Sequence, residues 1–456
     1  MYWSNFLHIY QPPNQKPYWI KRIANESYRR LTQGLKKNKK AKITLNINAV
    51  LTEHFQKYGC RDIIRDLKML AARGQIEFTG SAKFHPFLPL LPENEIVRQI
   101  ELNTKTNRRI LGKHFQPQGF FPPEMGYHIK VAKVAKKLGY RWMIIDEMGF
   151  NGYTNQFRKN LIYQVKGLGD FCVFFRERET SFKILSATIF SSEALLKDLS
   201  PKIKKDNYLI TAMDGETFGH HRPGLEKLLF DLFKFPKINF VNISELFNYF
   251  PQRETVAPLN SSWAMMHQDV ERRTPYSRWF NKHNEIHQKQ WQLTNMAIGL
   301  VNQMNTKNKK YRKVRDLLDR ALHSDQYWWA SAQPWWSLEI IEAGAKELKD
   351  VIWTVPDISK TQKTKAEKLY HEIALTGFQW QKTDKIKNLA AEADEDITQR
   401  ILKDIPKISR TEFNKIINGL KNQIAHACQR EEYERAAQIR DRIKELMDKK
   451  QTLVRK

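Results

Sequence analysis

Cysteine is scarce in this sequence. Three cysteines, Cys60, Cys172 and Cys428, are spread over 456 residues. They are too few and too scattered for a disulfide framework or a cysteine-based zinc site. The sequence therefore predicts a protein that folds without disulfides, which fits a reducing compartment.

Long apolar runs are also missing. No window approaches the run of about 20 apolar residues that a membrane-spanning helix needs, so we expect no membrane partner. The first residues, Met1–His8, have neither the basic segment nor the long apolar segment of a secretory signal. Together with the scarcity of cysteine, these features predict a cytoplasmic protein.

Acidic residues are outnumbered by basic ones, 49 to 77, which gives a formal net charge of +28. An excess of this size can indicate a nucleic acid or another polyanion as partner. Much of the excess is lysine spread through helix-like segments, and no helix-turn-helix, RNP or zinc-finger pattern accompanies it. A lysine-rich solvated surface is therefore favoured over nucleic-acid binding.

What the sequence does have is apolar material for a large core: 41% of the residues are hydrophobic, and 12 are tryptophan. The most informative stretch is Gln118–Asp146. An apolar segment ends at Pro122-Pro123, Glu124 follows at once, and an apolar stripe at helical spacing leads into a second apolar run that closes on Asp146. This pattern predicts a strand-turn-helix-strand unit with an acid where the first strand ends.

The same arrangement, a polar residue just after an apolar strand, recurs along the first 250 residues. It occurs at His8, Gln11, Asn48, His85, Glu124, Asp146, Asp214 and Glu216. Alternating strands and helices of this number favour a barrel of parallel strands, in which all of these residues face one end. Loops are polar in any α/β protein, so His8, Asn48 or Asp146 alone indicates little. For Glu124 and Asp214 a functional role is favoured, and Gly215 and Gly219 predict a tight loop close to a ligand.

The composition changes near residue 251, where helix-like segments begin to dominate and tryptophan becomes dense. We predict four regions: a catalytic barrel over 1–250, a helical subdomain over 251–350 that completes the cleft, a helical extension over 351–410, and a helical hairpin over 411–456. Trp279 and Trp291 are expected in the core. Ser324–Trp329 places an acid among aromatic rings, which favours a place in the cleft over simple packing.

Two acids on facing loops can hydrolyse a glycosidic bond, one as nucleophile and the other as proton donor. Glu124 and Asp214 lie 90 positions apart (214 − 124), so they can meet only across a barrel mouth. From composition and spacing alone they are two candidate acids and no more.

Five segments add specificity, and in order they resemble the five signature regions of glycoside hydrolase family 57. These segments are His8–Pro12, Phe84–Pro86, Gly119–Glu124, Met213–Gly219 and Ser324–Trp328. The similarity covers about residues 1–347, and the third and fourth segments together are specific. The family includes α-amylases, 4-α-glucanotransferases, branching enzymes and amylopullulanases.

The resemblance implies an incomplete (β/α)7 barrel followed by an α-helical subdomain. It implies a retaining mechanism on α-1,4-glucans, hydrolysing or transferring the chain, without a metal or other cofactor. By position, Glu124 matches the nucleophile and Asp214 the general acid/base. The positions expected to contact substrate are His8, Gln11, His85, Glu216, Asp325 and Trp328.

Some positions depart from the family pattern. Tyr10 stands where a second histidine is common, His85 stands where some members have glutamate, and the fifth segment matches loosely. These departures leave the acid pair intact, but they motivate an alternative function. The chain could instead be a catalytically weak glucan-binding or adaptor protein that docks partners through its tail. A deacetylase-like function would need an Asp/His/His metal triad, and no convincing spacing provides one.

The tail resembles a second family. Ala427 and the segment from Glu431 to Leu446 are similar to the short UVR motif of bacterial excision-repair subunits and of some protease adaptors. Apolar stripes at 416, 420 and 424 and at 439, 443 and 446, separated by a polar turn, predict two antiparallel helices. The resemblance implies a protein partner for residues 411–456, while an ordinary helical hairpin remains the alternative.

Overall fold

Short segments of the first 256 residues form one sheet in the computed structural model. The structure describes residues 1–201, 203, 206–392, 408–429, 432–448 and 450–454. Ten strands make up this sheet. They are β1 (Tyr2–Ile9), β2 (Ile43–Ile47), β3 (Ile76–Gly80), β4 (Gly119–Phe120), β5 (Trp142–Asp146), β6 (Ile162–Val165), β7 (Cys172–Arg176), β8 (Tyr208–Asp214), β9 (Asn239–Phe240) and β10 (Arg253–Val256).

Seven of these strands run parallel in the spatial order β8-β1-β2-β3-β4-β5-β7. The sheet curls so far that its two ends meet, where the Glu177 amide beyond β7 donates to the Ile210 carbonyl of β8 at 2.8 Å. β6 pairs antiparallel with β7 and extends the sheet outward to β10, and β9 pairs with β1. The predicted incomplete barrel of seven parallel strands is confirmed.

Helices follow most of the parallel strands and cover the sheet. In the barrel region they span Pro17–Ile23, Arg29–Lys37, Ala49–Lys57, Arg61–Ala72, Glu93–Leu111, Ile129–Lys137, Met148–Asn151, Arg178–Leu185, Ser192–Leu199, Glu226–Leu232 and Leu246–Tyr249. A π-helical turn, Ala24–Tyr28, joins the first two of them. The helical region beyond the barrel contains His267–Glu271, Glu285–Asn302, Tyr311–Ala321, Asp325–Ala330, Leu338–Thr354 and Lys360–Gln381.

Three apolar layers hold these elements together. The barrel interior is aromatic, with Phe6, Phe121, Trp142 and Phe174 among its fully buried side chains. A second layer packs the helices around β4 and β5 against the helical region and contains Trp279 and Trp291, which confirms the core positions predicted for these two rings. A third layer lies under the helices that flank β1, β2, β3 and β8.

The last part of the chain is an antiparallel helix pair, Arg410–Gln429 and Tyr433–Asp448, followed by the short helix Lys450–Leu453. We call residues 408–454 the tail hairpin. Its apolar side chains, which include Leu420, Ile439 and Leu446, belong to the third layer and are therefore covered by the barrel helices. The predicted hairpin is present, but its apolar face is already used within the chain.

Within the range 351–410 predicted as a helical extension, the structure describes the end of the helix Leu338–Thr354 and the helix Lys360–Gln381, and residues 393–407 lie outside the described residues. The sequence patterns predict no element between 147 and 206, where β6, β7 and three helices lie. Over the described ranges, no helix is both long and apolar enough to cross a membrane.

Candidate active site

Side chains from the carboxyl ends of β1, β3, β4 and β8 converge on one rim of the barrel. His8 and Asp214 are register partners on neighbouring strands. The His8 ring stacks on the His85 ring with centroids 4.9 Å apart, and His85 Nδ1 lies 3.7 Å from Glu124 Oε1. Strand ends that are distant in sequence thus bring two carboxyl groups to the same side of the barrel, as expected for parallel strands.

Glu124 is held in an uncommon backbone conformation. Its φ of 62° is left-handed, as is the φ of 57° at His85, and neither residue is glycine. Such conformations cost about 1–3 kcal/mol each and persist only where neighbouring structure enforces them. Trp263 enforces this one from both sides, because its amide donates to the Glu124 carbonyl at 3.1 Å and its indole Nε1 donates to Glu124 Oε2 at 2.7 Å. The carboxylate therefore has a fixed direction.

The environment of the two acids disfavours charge. Burial, followed by repulsion from Asp214, raises the pKa of Glu124 to about 8, although the Trp263 hydrogen bond opposes the rise. Burial raises the pKa of Asp214 to about 6, against the attraction of Arg176. Over the described part of the chain, no group donates a hydrogen bond to the Asp214 carboxyl group. Both carboxyl groups therefore keep their protons to higher pH than exposed acids do, and Glu124 keeps its proton to higher pH than Asp214.

Glu216 sits beneath this pair and is buried. Its Oε1 accepts hydrogen bonds from the Tyr10 amide at 3.2 Å, from Gln11 Nε2 at 3.4 Å and from the Tyr28 hydroxyl. Burial, followed by the charge of Asp214, raises the pKa of Glu216 to about 8. Glu216 is therefore held by the segment that follows β1 and by Tyr28 of the π-helical turn Ala24–Tyr28.

A second cluster closes the site from the helical region. The Tyr10 hydroxyl donates to Asp325 Oδ2 at 2.8 Å, and its ring stacks on His85 with centroids 4.2 Å apart. His323 Nδ1 lies 2.9 Å from the same Asp325 oxygen, and its Nε2 lies 3.4 Å from Glu347. Despite burial, these two acids raise the pKa of His323 to about 10, so that a protonated histidine anchors Asp325.

Three residues singled out from the sequence occupy other surroundings. Trp328 is half-buried in the helical layer, with its ring 5.4 Å from Trp279, and within the described ranges no hydrogen bond or ring contact joins it to either acid. Asn48 binds the Ala82 carbonyl at 2.5 Å behind the rim. Asp146 is buried between Arg176 and Arg178, at 2.9 and 2.8 Å.

Trp263 and Arg176 belong to the site although the sequence does not predict them there. Trp263 lies 139 positions from the acid it contacts, in a region where tryptophan is dense. Arg176 ends β7, lies 5.8 Å from the Trp263 ring centroid, and interacts with Asp214. Its position at a strand end was the available signal, but β7 itself was not recognised.

The loop after β8 approaches protein rather than open space. Gly219 has a φ of 104°, and a Cβ there would lie 2.1 Å from the Glu26 carbonyl oxygen of the π-helical turn. The tight turn predicted at Gly219 is present. The group that Gly219 approaches is the backbone of the π-helical turn rather than a ligand. Among the described residues, no three His, Cys, Asp or Glu side chains are grouped as metal ligands.

Sequence comparison identifies relatives for both ends of the chain. Residues 2–258 match glycosyl hydrolase family 57, and residues 414–454 match the UvrB/uvrC motif. Alpha-amylase 1 of Dictyoglomus thermophilum is 28% identical to this chain over 151 aligned residues, which cover 33% of this chain and 21% of the amylase. The 4-alpha-glucanotransferase of Thermococcus litoralis is 23% identical over 276 residues, 57% of this chain and 40% of that protein. The chain thus spans between a fifth and two fifths of these relatives.

Solved structures share the fold at low identity. The GH57-type branching enzyme of Pyrococcus horikoshii superposes with a TM-score of 0.64 at 16% identity, over 89% of this chain and 98% of that one. The T. litoralis 4-alpha-glucanotransferase gives a TM-score of 0.59 at 17% identity, and the superposition covers 77% of this chain and 60% of that one. Because the family match spans more than half of its residues, this chain belongs to glycosyl hydrolase family 57.

Proposed function

We propose that this protein cleaves α-1,4-glucosidic bonds of glucans with retention of configuration and passes the glycosyl group to water or to another glucan. The observation that carries the proposal is the acid pair: Glu124, fixed by Trp263, and the half-buried Asp214, whose charge raises the pKa of Glu124. The family match and the named activities of its relatives support the substrate class.

The chemistry follows from one shared proton. With the proton on Asp214, the Glu124 carboxylate attacks the anomeric carbon while Asp214 protonates the departing glycosidic oxygen. The product is a glycosyl ester on Glu124. Asp214, now ionised, then takes a proton from water or from a sugar hydroxyl, whose oxygen attacks the anomeric carbon and releases Glu124. Two inversions restore the α configuration.

The hydrogen bonds around the pair fit these roles. The Trp263 donor stabilises the charged form of Glu124, which a nucleophile needs. Asp214 has no such donor among the described residues, and burial raises its pKa to about 6. The pKa of Glu124 is the higher of the two, so the proposed mechanism requires glucan binding to move the proton to Asp214.

His8, His85 and Asp325 form the remaining wall of the site and are proposed to contact the sugar bound between the acids. Gln11 and Glu216 are proposed to contribute from the floor, while the role proposed for Trp328 is stacking on a more distant sugar. Buried polar side chains that face a cleft recognise sugar hydroxyl groups by hydrogen bonding.

The first test is incubation of the purified protein with maltoheptaose and amylose, with separate measurement of chain lengths and of total reducing ends. Hydrolysis raises the number of reducing ends, whereas transfer redistributes chain lengths without raising it. Glu124→Gln should lower turnover by at least about a thousandfold with unchanged circular dichroism. Glu101→Gln, at an exposed helix position, is the matched control. Glucan binding without any turnover by the unmodified protein would favour the binding-protein alternative.

Azide separates the roles of the two acids. With an activated α-glucoside, Glu124→Ala should give the β-glycosyl azide, because azide replaces the missing nucleophile in a single inversion. Asp214→Ala should give the α-glycosyl azide, because Glu124 still forms the ester. The opposite pattern would exchange the roles proposed here.

A further inference from the structure

The tail hairpin touches the barrel at the loop that carries Asp214 and Glu216. Arg435, on the second tail helix, is buried, and its Nη1 donates to the Gly219 carbonyl at 2.9 Å. The same nitrogen lies 3.4 Å from Glu26 Oε1. The contact thus joins the tail to both the loop after β8 and the π-helical turn that faces this loop.

The π-helical turn, Ala24–Tyr28, holds the loop along its whole length. Ser27 Oγ donates to the Gly215 carbonyl at 2.9 Å, and the Tyr28 hydroxyl donates to the Glu216 carboxylate. At the far end of the loop, Glu26 Oε2 lies 2.6 Å from His220 Nδ1. π-helical turns are rare and concentrate at functional sites, and this one contacts the loop through three successive residues.

Arg435 completes this set of contacts from the tail. Without it, the Gly219 carbonyl would lose its donor and Glu26 would lose one of its cationic partners. We propose that Arg435 is a positioning residue, which fixes the loop bearing Asp214 and Glu216 so that the acid is correctly placed against the glycosidic oxygen. The tail hairpin is then part of the catalytic module. This inference rests on the proposed function, in which Asp214 is the general acid/base.

The kinetic test compares three arginines of one helix. Arg435→Ala should lower kcat about tenfold, since small misplacements of a catalytic group are costly, with KM changed by less than about twofold. Arg440→Ala should leave both unchanged, because Arg440 is exposed and pairs with the adjacent Asp441. Arg442→Ala should also retain kcat, because Arg442 anchors the tail to the Ala187 carbonyl and not to the loop.

A loss of kcat in Arg442→Ala as large as that in Arg435→Ala would overturn the proposal, because docking of the tail as a whole would then explain the effect. Arg435→Lys, which keeps a donor and a charge, should recover part of the activity. A purely structural role would not separate Arg435→Ala from Arg442→Ala, since both buried arginines hold the same helix against the barrel.

Amide hydrogen exchange tests the contact without relying on turnover. In Arg435→Ala, peptides covering 214–221 should exchange at least about tenfold faster while tail peptides remain protected. Unchanged exchange in the loop would refute the inference even in an active enzyme. An unmodified protein that turns over no glucan would instead count against the proposed function, while the exchange result would still decide whether Arg435 fixes the loop.

Discussion

At the scale of single residues, the acids of the site are shielded from water, and nearby hydrogen-bond donors and cations offset only part of the cost of burying their charge. Glu124, Asp214 and Glu216 all have raised pKa values, because burial penalises their charged forms, and the charge of Asp214 adds to the rise at Glu124 and Glu216. Structural carboxylates usually show the opposite shift, since salt bridges and hydrogen-bond donors stabilise their charge. A cluster of acids held partly neutral is typical of a site that transfers protons.

The acid pair predicts a bell-shaped dependence of kcat/KM on pH, with limbs near pH 6 and pH 8. Below the lower pKa both acids are protonated and no nucleophile is available, whereas above the higher pKa both are ionised and no proton donor remains. The profile should be measured with maltoheptaose from pH 4 to about 10, after incubation controls for stability at each pH. A profile with a single limb would contradict a shared proton.

Trp263 offers a direct test of how Glu124 is held. Trp263→Phe keeps an aromatic ring but removes the Nε1 donor 2.7 Å from Glu124 Oε2. Because this donor stabilises the carboxylate, its loss should raise the pKa of Glu124, move the alkaline limb of the pH profile, near pH 8, to higher pH, and lower kcat by about 10- to 100-fold.

Trp291→Phe is the matched control for that change. The Trp291 indole donates to the Trp279 carbonyl at 2.9 Å inside the helical layer. Its loss should lower the unfolding free energy by about 1 kcal/mol but leave the pH profile unchanged. Equal kinetic effects of the two substitutions would mean that Trp263 acts only through packing.

At the scale of elements, the loop after β8 is shaped by what it packs against. Gly219 has a φ of 104°, and Gly219→Ala places a Cβ 2.1 Å from the Glu26 carbonyl oxygen. Either the loop or the π-helical turn must therefore move. We expect kcat to fall about tenfold or more, and the unfolding free energy to fall by about 1–2 kcal/mol. Steady-state kinetics and thermal unfolding measure the two effects.

Gly299→Ala provides the comparison at a glycine whose backbone is ordinary. Gly299 lies in the helix Glu285–Asn302, and a Cβ there would meet no atom within 4 Å. The substitution should therefore raise the unfolding free energy by about 0.5–1 kcal/mol through helix propensity, without an effect on kcat. A stabilising effect of Gly219→Ala would show that the loop tolerates movement.

Element by element, the sequence predicts strands well where a polar strand end gives a clear boundary. The apolar run before Pro122-Pro123 is β4 in the structure, and it ends at Phe120. β6 and β7 were missed, although Gly167 and Gly169 between them are a hairpin signal.

Contacts between elements are harder to predict from the sequence than the elements themselves. Strand-end positions predicted that His8, His85, Glu124 and Asp214 would share a rim, because parallel strands impose it. Nothing local to Trp263 indicates that its indole will reach Glu124, since that contact depends on how the segment after the barrel folds back over the rim. The contact of Arg435 with Gly219 joins positions 216 apart and depends on tertiary packing in the same way.

At the scale of the whole molecule, the tail hairpin and the barrel share one apolar layer. Leu420 of the tail approaches Gly224 of the barrel, and Ile439 is fully buried in the layer that also contains Leu199 and Leu229. Two segments that bury the same core should unfold together, because neither can lose its contacts without exposing the other. The tail is then expected to behave as part of the barrel's folding unit.

Ile439→Ala tests that expectation. Truncation of a fully buried isoleucine should lower the unfolding free energy by about 2–4 kcal/mol. All twelve tryptophans lie between Trp3 and Trp380, so their fluorescence reports on the barrel and the helical region but not on the tail. The midpoints of the fluorescence and far-UV circular dichroism transitions should fall together, whereas Lys444→Ala, at an exposed position of the same helix, should move neither. An early loss of helical signal with an unchanged fluorescence midpoint would mean that the tail unfolds on its own. That result would contradict the expectation that the tail and the barrel form one folding unit.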